Sequence, residues 1–329
     1  MAKKMIGIDI GGTFIKAGVV DEKGRVLSRA KLPTGVPEGR KAVIRNIAAA
    51  AIEARERAGL PWRRICAVGL GSPGVFEQPS GIVYHSPNLA CLEGKPLAEP
   101  VMAAVGQPDI PIVLENDANV AAYAEAWVGC GRGVRTLALM TLGTGIGGGV
   151  VLNGHIWRGA WGTAAELGHQ NLFPDGARCG CGNRGCLEAY ASATGLVRRF
   201  KEAVAAGRRG PLAAQLRKGK EITARDIDLA AKAGDRLCRE LIEETGRYLG
   251  VAVMNVLHIL NVELVVFTGG MTAAGAMLLK PIREEARRRT FPLAMKGVRI
   301  LFSRMGDDTG LIGAAGWALK RSTAGYRTH

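Results

Sequence analysis

The chain of 329 residues carries 44 basic and 29 acidic side chains, a net charge of +15, and 47% apolar residues. That apolar share excludes a disordered chain, and the length predicts two domains. No apolar run reaches the roughly 18 residues that span a bilayer, and MAKKMIGIDIGGT leads into a strand pattern without a signal-peptide core. We therefore expect a cytoplasmic protein with reduced cysteines and no membrane partner.

Strand and helix patterns alternate from the first residues onward. KMIGIDI predicts a strand that ends at a glycine turn, and KAGVVDEKGRVLSRAKL predicts two more strands around DEKG. A helical pattern follows in EGRKAVIRNIAAAAIEARERAGL, and RICAVGLGSPG predicts a buried strand before a glycine-rich turn. IPIVLENDANVAAYAEAWVG predicts a strand, a polar junction and a helix.

The second half of the chain continues the alternation. RTLALMTLGTGIGGGVVLNG predicts a strand, a glycine-rich turn and a strand, and a mostly helical region leads to VELVVFTGGM. VRILFSRMGDDTGLIGAAGWALK predicts a strand, a capped turn and a closing helix. Residues 198–220 hold eight basic residues and one acidic residue without interleaved aromatics, which favours a solvated face over a nucleic-acid site. The alternation predicts the α/β class.

Two segments of the sequence have the same order of predicted elements. IGIDIGGTFIKAGVV at 6–20 and LMTLGTGIGGGVVLNG at 139–154 each combine an apolar strand, a Gly-Thr turn and another apolar strand. Free backbone N–H groups in such turns bind anions, so the pair predicts a nucleotide-phosphate site between two similar halves. An ordinary hairpin turn remains the alternative. Asp9 interrupts the first apolar strand, where a place near a metal-bound phosphate would explain a carboxylate.

Three cysteines and a histidine form the most specific pattern. Cys179, Cys181 and Cys186 give C-x-C-x4-C, and His169 lies ten positions upstream. Three thiolates and one imidazole complete a tetrahedral zinc set with no open position, which predicts a structural zinc site. A redox C-x-x-C is absent, and a disulfide would leave one thiol over. A core histidine, with the fourth ligand from elsewhere, remains the alternative.

Acidic and amide side chains accompany these motifs. Glu166 and Glu188 flank the cysteine segment, and a glutamate at the start of a helix, favoured by the helix dipole, is one interpretation of Glu188. Asn116 and Asp117 follow a strand and precede a helix, at the strand end where α/β proteins bind ligands. An Asn or Asp N-cap explains the same residues equally well.

The motifs GIDIGGTFIK, GSPG, ENDAN, LGTGIGGG, ELGH, CGCGNRGCLE and GDDTGLIGAA resemble, in this order, those of the ROK family of bacterial sugar kinases and repressors. The match runs from about residue 5 to 318, and the chain resembles the family's glucokinases most. The resemblance implies a two-domain actin/hexokinase-like (ribonuclease H-like) fold with an interdomain cleft. It places an N-terminal domain at 1–117, completed by a C-terminal helix at about 307–329, and a larger zinc-bearing domain at 118–306.

The resemblance also implies an activity and its residues. The γ-phosphate of ATP would pass to the 6-hydroxyl of a hexose, foremost glucose, with Asp117 as general base. The residues that match sugar contacts are Gly74, Asn88, Asn116, Glu166, His169 and Glu188. The residues assigned to ATP and Mg²⁺ are Asp9, Gly11, Gly12, Thr13, Lys16, Thr144 and Gly145, with Gly269, Gly270 and Gly310 around the adenosine.

Several alternatives stay open within the resemblance. SPNL continues with Cys91 and Leu92 where glucokinases commonly have a tryptophan, so mannose, N-acetylmannosamine, N-acetylglucosamine or fructose remain candidate sugars. The basic segment makes polyphosphate an alternative donor. A sugar-responsive repressor would need a DNA-binding domain for which we expect no room before Ile6, and an actin-like assembly protein is a further alternative. Family members are often dimers or tetramers, so we expect a homo-oligomer without nucleic-acid partners.

Overall fold

A computed structural model of the protein describes residues 2–77 and 80–323. Strands and helices alternate along these residues, which confirms the predicted α/β class. Among the described helices, none combines the length and the low polarity that crossing a bilayer requires. The strands are β1 Lys4–Ile10, β2 Phe14–Asp21, β3 Val26–Pro33, β4 Ile65–Ser72, β5 Val75–Phe76, β6 Val83–His85, β7 Ile112–Asn116, β8 Thr136–Leu142, β9 Ile146–Leu152, β10 His155–Ile156, β11 Leu264–Thr268 and β12 Arg299–Phe302.

The helices lie between these strands in both halves of the chain. They are α1 Arg40–Arg57, α2 Ala98–Val105, α3 Asp117–Trp127, α4 Leu187–Ala191, α5 Ala193–Ala205, α6 Pro211–Arg217, α7 Ala224–Lys232, α8 Arg236–Leu260, α9 Ala276–Arg289, α10 Pro292–Met295 and α11 Thr309–Thr323. Short 3-10 turns occur at Val36–Glu38, Trp62–Arg64, Pro87–Leu92, Leu167–His169, Gly270–Ala274 and Gly306–Asp308.

The chain divides into two compact units that differ from the predicted boundary at residue 117. The first unit contains the chain up to Arg135, Gly149–Ala165 and the chain from Arg304 onward. The second contains Thr136–Gly148 and Glu166–Ser303. Helix α3 belongs to the first unit because it packs against α11. The contact is close, since a Cβ on Gly313 would lie 1.8 Å from the carbonyl oxygen of Val120.

The first unit is built on a five-stranded sheet with the order β3-β2-β1-β4-β7. Strands β1, β4 and β7 run parallel, β2 is antiparallel to β1, and β3 is antiparallel to β2. Buried side chains alternate along β1, so that Ile6 and Ile8 join a core with α1 while Met5 joins a second core with α11. Both faces of the central strands are therefore covered.

Helix α11 lies directly on the sheet because two strand positions lack side chains. A Cβ on Gly7 would lie 1.8 Å from the carbonyl oxygen of Leu311, and one on Gly69 would lie 1.9 Å from that of Ala314. The C-terminal helix predicted for about 307–329 thus packs on β1 and β4 over Thr309–Thr323. Residues 324–329 lie outside the described residues.

The second unit contains most of a sheet with the order β10-β9-β8-β11-β12, and the division between units falls within β9. Strands β8, β11 and β12 run parallel. Helix α8 packs closely on α9, where a Cβ on Gly246 would lie 2.5 Å from Pro281. The unit also carries the cysteine segment, which lies between β9 and α4 in the chain.

Candidate active site

Asn116 ends β7 and caps α3. Its Oδ1 accepts hydrogen bonds from the N–H groups of Ala118 at 2.9 Å and Asn119 at 3.1 Å. Its Nδ2 donates to the carbonyl oxygen of Gly74 at 3.1 Å. The N-cap interpretation therefore holds, and the same side chain brings together two of the residues assigned to the sugar.

Asp117 is the first residue of α3 and is half-buried. Its Oδ1 accepts a hydrogen bond of 2.8 Å from the N–H of Ala118. Burial raises the pKa of Asp117 above its ordinary value, although the backbone hydrogen bond opposes the shift. A carboxylate with a raised pKa accepts protons more strongly, which is the property that a general base needs.

Asp9 lies near the end of β1, opposite Lys16 on β2. Burial raises the pKa of Asp9 to about 6, the negative charge of Asp117 raises it as well, and Lys16 opposes the shift. Gly310, in the first turn of α11, lies against this carboxylate, since a Cβ there would lie 2.6 Å from Asp9 Cγ. The first unit therefore contains two carboxylates that repel each other, an arrangement that attracts cations.

The first glycine turn joins β1 and β2. The N–H of Gly11 donates to the carbonyl oxygen of Phe14 at 2.9 Å, and Thr34 forms two further hydrogen bonds with the turn. The Thr34 hydroxyl donates to the carbonyl oxygen of Gly11 at 2.6 Å, and the backbone N–H of Thr34 donates to the carbonyl oxygen of Thr13 at 2.9 Å. These hydrogen bonds fix the base of the turn, whereas Gly12 and Thr13 at its tip are exposed and therefore accessible to a ligand.

Two further contacts surround this turn. A Cβ on Gly12 would lie 3.5 Å from Asn88, which is exposed in the 3-10 turn Pro87–Leu92. Lys16 Nζ donates to the carbonyl oxygen of Asp307 at 3.3 Å and lies 3.9 Å from its carboxylate. The structure thus brings a residue assigned to the sugar next to one assigned to the donor phosphates.

The four metal-ligand candidates converge in the second unit. The ligand atoms of His169, Cys179, Cys181 and Cys186 all lie within 4.8 Å of one another. Cys181 Sγ and Cys186 Sγ are 3.8 Å apart, and Cys179 Sγ is 3.7 Å from His169 Nδ1. Tetrahedral zinc with Zn–S bonds of about 2.3 Å places two sulfurs about 3.8 Å apart. The residues present therefore fit a zinc ion.

The two glutamates that flank the cysteines have different surroundings. Glu166 is exposed, and its Oε2 lies 4.0 Å from His169 Nε2. Glu188 Oε2 accepts a hydrogen bond of 2.8 Å from the N–H of Ile146, and Oε1 lies 3.4 Å from Cys179 Sγ. Glu188 therefore connects the cysteine cluster to the second glycine turn.

That second turn, between β8 and β9, is held from two sides. A Cβ on Gly145 would lie 2.4 Å from Glu188 Oε2. The Thr194 hydroxyl donates to the carbonyl oxygen of Thr144 at 2.8 Å, and the N–H of Gly143 donates to that of Gly145 at 3.0 Å. The turn is thus fixed between the cysteine segment and the start of α5.

A cavity of about 600 Å³ opens beside Thr144 and Gly270. Its wall is mainly apolar and includes Leu196, Leu229, Ile242, Met271 and Leu278. Gly269 packs at the end of β8, since a Cβ there would lie 2.5 Å from the carbonyl oxygen of Leu142. Gly310 belongs to the first unit beside Asp9, whereas Gly269 and Gly270 belong to the second.

A family model described as the ROK family matches residues 5–321. The chain belongs to the ROK family. A glucokinase of Halalkalibacterium halodurans is 36% identical over 317 residues, which cover 96% of this chain and 94% of that protein.

Two solved ROK structures have a similar fold. A ROK hexokinase from Thermus thermophilus aligns with a TM-score of 0.81 and 33% identity, covering 98% of this chain and 99% of that one. A ROK family glucokinase from Streptomyces griseus, in complex with glucose and AMPPNP, aligns with a TM-score of 0.79 and 36% identity, covering 96% and 99%. The predicted ROK membership and the predicted actin/hexokinase-like fold are confirmed.

This ROK chain also contains a supporting ion pair that the sequence did not reveal. Glu115, 4% exposed, accepts hydrogen bonds from Arg158 Nε at 2.6 Å and Asn119 Nδ2 at 3.0 Å. It also accepts one of 3.0 Å from the N–H of Asn116. Arg158 lies 43 positions after Glu115, so no local pattern connects the two residues. The only indication in the sequence is the presence of a glutamate at the polar junction ENDAN. The pair fixes the strand end before Asp117.

Three charged residues of the nucleotide-sized cavity were also missed. Arg225, Asp228 and Lys232 of α7 line it. Lys232 Nζ donates to Asp228 Oδ2 at 2.7 Å and to the carbonyl oxygen of Ala273 at 2.8 Å. The sequence predicts only a helical region here, because a helix face that lines a cavity is not marked by a local motif.

Proposed function

We propose that this protein transfers the γ-phosphoryl group of ATP to the 6-hydroxyl of glucose. The observation that carries the proposal is the similarity, over 96% of the chain, to a glucokinase crystallised with glucose and AMPPNP. A kinase that consumes ATP works where ATP is supplied, so the proposed location is the cytoplasm. Other hexoses and a regulatory role are the less favoured alternatives.

Asp117 is the proposed general base. It would accept the proton of the 6-hydroxyl as the oxygen attacks the γ-phosphorus, a contribution typically worth about 10²–10⁴ in rate. Its raised pKa and its fixed place beside the Asn116 cap support this role. The residues proposed to bind the sugar are Gly74, Asn88, Asn116, Glu166, His169 and Glu188.

The two glycine turns are the proposed donor-phosphate sites. Their backbones are held from behind by Thr34 in the first unit and by Thr194 and Glu188 in the second. Phosphoryl transfer depends mainly on positioning and on charge neutralisation, and Mg²⁺ supplies that neutralisation when bound. Asp9, supported by Lys16, would accept hydrogen bonds from its water shell. The 600 Å³ cavity beside Thr144 would take the adenosine.

Zinc is the proposed structural ion of the cysteine cluster. When bound, it would cross-link His169 with the three cysteines and would leave no position for a substrate. Binding also requires the thiolate form of Cys179. The thiol proton shared with Glu188 Oε1 would then be lost, which would release that oxygen for a sugar hydroxyl.

The replacement of the family's tryptophan after SPNL does not argue against glucose. Leu92 is fully buried in the apolar core of the first unit, and Cys91 packs against the same core. The Leu92 side chain therefore stabilises the turn Pro87–Leu92 by packing into this core. The sugar-contact candidate of this loop, Asn88, remains exposed.

A coupled assay with a sugar panel tests the proposal. Purified protein, Mg²⁺ and ATP are incubated with glucose, mannose, fructose, N-acetylglucosamine or N-acetylmannosamine, and ADP is measured. We expect ADP formation that depends on sugar, with the highest kcat/KM for glucose. ADP formation that is independent of any sugar, or a clear preference for another hexose, would contradict the proposed substrate.

A further inference from the structure

A closed loop in the first unit presents an exposed tryptophan. The loop runs from Arg158 to Ala164 and closes by a hydrogen bond of 3.1 Å from the N–H of Ala164 to the carbonyl oxygen of Arg158. Trp161 lies within it and is 84% exposed, the largest exposed fraction among the large apolar side chains of the described residues. The indole therefore presents a flat, largely apolar surface to solvent.

The loop is anchored to both strand segments that carry sugar-site candidates. At its start, Arg158 forms the ion pair of 2.5 Å with Glu115, the residue before Asn116. On its other side, Gly162 packs on β5, because a Cβ there would lie 3.1 Å from the carbonyl oxygen of Phe76. Phe76 lies two residues after Gly74. Trp161 is thus held between the two anchors.

The conformation of the loop supports a fixed position. Gly159 and Gly162 have φ angles of +68° and +81°, which other residues rarely adopt, and a Cβ on Gly159 would lie 2.9 Å from Ala164. The exposed indole is therefore carried by a rigid loop. A loop backbone that is already ordered loses little conformational freedom when the side chain it carries binds a ligand.

Hexoses have a chemistry that suits this arrangement. Hydroxyl groups at the ring edge require carboxylates and amides, which Asn116 and Asp117 provide in this unit. The C–H groups on the ring face are apolar and are best covered by a flat apolar surface such as indole. We propose that Trp161 stacks on the bound hexose and contributes to its affinity and to the exclusion of water. This inference rests on the proposed function, because it assigns a further residue to the same sugar site.

Intrinsic fluorescence provides a test without nucleotide. The chain has five tryptophans, and Trp157, 50% exposed in the same segment, gives a matched control. We expect glucose to shift the emission of the wild type to shorter wavelength. Trp161→Phe should lose this shift, and Trp157→Phe should retain it. A shift that survives in Trp161→Phe would overturn the inference.

Steady-state kinetics give an independent readout. Trp161→Ala should raise KM for glucose about tenfold, which corresponds to roughly 1.4 kcal/mol. KM for ATP and the melting temperature should stay close to wild type, since the side chain is exposed. Trp161→Phe should raise the glucose KM less than threefold because a smaller ring is kept. Equal glucose KM values for wild type and Trp161→Ala would reject the inference, whereas wild-type protein without sugar-dependent turnover would reject the proposed function itself.

Discussion

Asp9 illustrates at the residue scale how a candidate functional side chain lowers the stability of the ligand-free protein. Burial raises its pKa from the ordinary 3.8 to about 6, so the folded state holds the proton more tightly than the unfolded state. Between about pH 4 and 6 the free energy of unfolding therefore falls by about 1.4 kcal/mol per pH unit, and above pH 6 the loss is constant at no more than about 3 kcal/mol.

We therefore predict that Asp9→Asn stabilises the protein in the absence of Mg²⁺ and nucleotide. The gain should be about 1–3 kcal/mol at pH 7.5 and should shrink as pH falls from 6 to 4, because the wild-type carboxyl is then protonated in both states. Denaturant unfolding at several pH values measures it. The exposed Asp109→Asn is the control and should show no such gain, and a destabilised Asp9→Asn at pH 7.5 would refute the prediction.

Ala165 adopts a backbone conformation that is unfavourable for alanine. It has φ +66°, a left-handed conformation, directly before the sugar-site candidate Glu166. Such strain in a non-glycine residue costs roughly 1–2 kcal/mol. Ala165→Gly should therefore raise the melting temperature by roughly 1–3 °C. Ala164→Gly, whose φ is negative, should lower it. The opposite order of the two variants would show that the strain is absent.

The sequence predicted these sites unevenly, for a physical reason. The cysteine segment and the two glycine turns have members that are close in the chain, and the structure places the three cysteines beside His169, as their spacing predicts. Contacts between residues that are distant in the chain have no such local pattern. Glu115 meets Arg158 only because β7 and the 158–164 loop are neighbours in the fold, and Gly310 meets Asp9 only because α11 packs on β1.

At the element scale, the cysteine segment and the β8–β9 turn are linked. Glu188 accepts the hydrogen bond from Ile146, and Gly168 packs so closely that a Cβ there would lie 2.0 Å from the carbonyl oxygen of Ile146. The second glycine turn is thus held at Ile146 by residues on both sides of the cysteine segment. We therefore predict that removal of the proposed zinc loosens this turn as well as the residues proposed to bind the sugar.

We predict one zinc per chain and a broad effect of its removal. Cys181→Ser should abolish zinc binding, lower the melting temperature, and weaken the binding of both glucose and ADP by tenfold or more. Cys91→Ser, outside the motif, is the control and should keep zinc and both affinities. Metal analysis and calorimetry measure these quantities. An unchanged ADP affinity in Cys181→Ser that lacks zinc would show that the second glycine turn does not depend on the cysteine segment.

The domain boundary at 117, which the family resemblance implies, differs from the division in the structure. Helix α3 and the residues up to Arg135 belong to the first unit. Close packing through Gly313, 193 positions after Val120, decides the place of α3. The contact cannot be predicted from the sequence of α3. Half of the buried residues of this helix are alanines, and they show no periodic pattern that would indicate which unit the helix packs on.

At the scale of the whole molecule, the charge of +15 raises the choice between ATP and polyphosphate. Four of the eight basic side chains of segment 198–220 form ion pairs within the second unit, one of them between Arg198 and Glu202. Arg199 binds Glu244 at 2.5 Å and is mostly buried, and Arg208 binds Glu240 at 2.5 Å. Lys220 binds Asp226 at 2.9 Å. Paired cations offer a polyanion less attraction than the net charge suggests.

We therefore predict that ATP, and not long-chain polyphosphate, supports formation of glucose 6-phosphate. The product is measured with a dehydrogenase-coupled assay at equal phosphoryl concentrations. Activity with polyphosphate should be below about a hundredth of that with ATP. Comparable rates with both donors would overturn this prediction and would assign a donor role to the basic segment.

The proposed mechanism depends on Asp117 as the base in phosphoryl transfer from ATP to glucose. Glucose 6-phosphate formation by wild type and Asp117→Asn at saturating ATP and glucose, with glucose affinity determined separately, measures this role. We expect kcat to fall by about 10²–10⁴ while glucose affinity changes less than about threefold. A variant that keeps a kcat near the wild-type value would show that Asp117 is not the base.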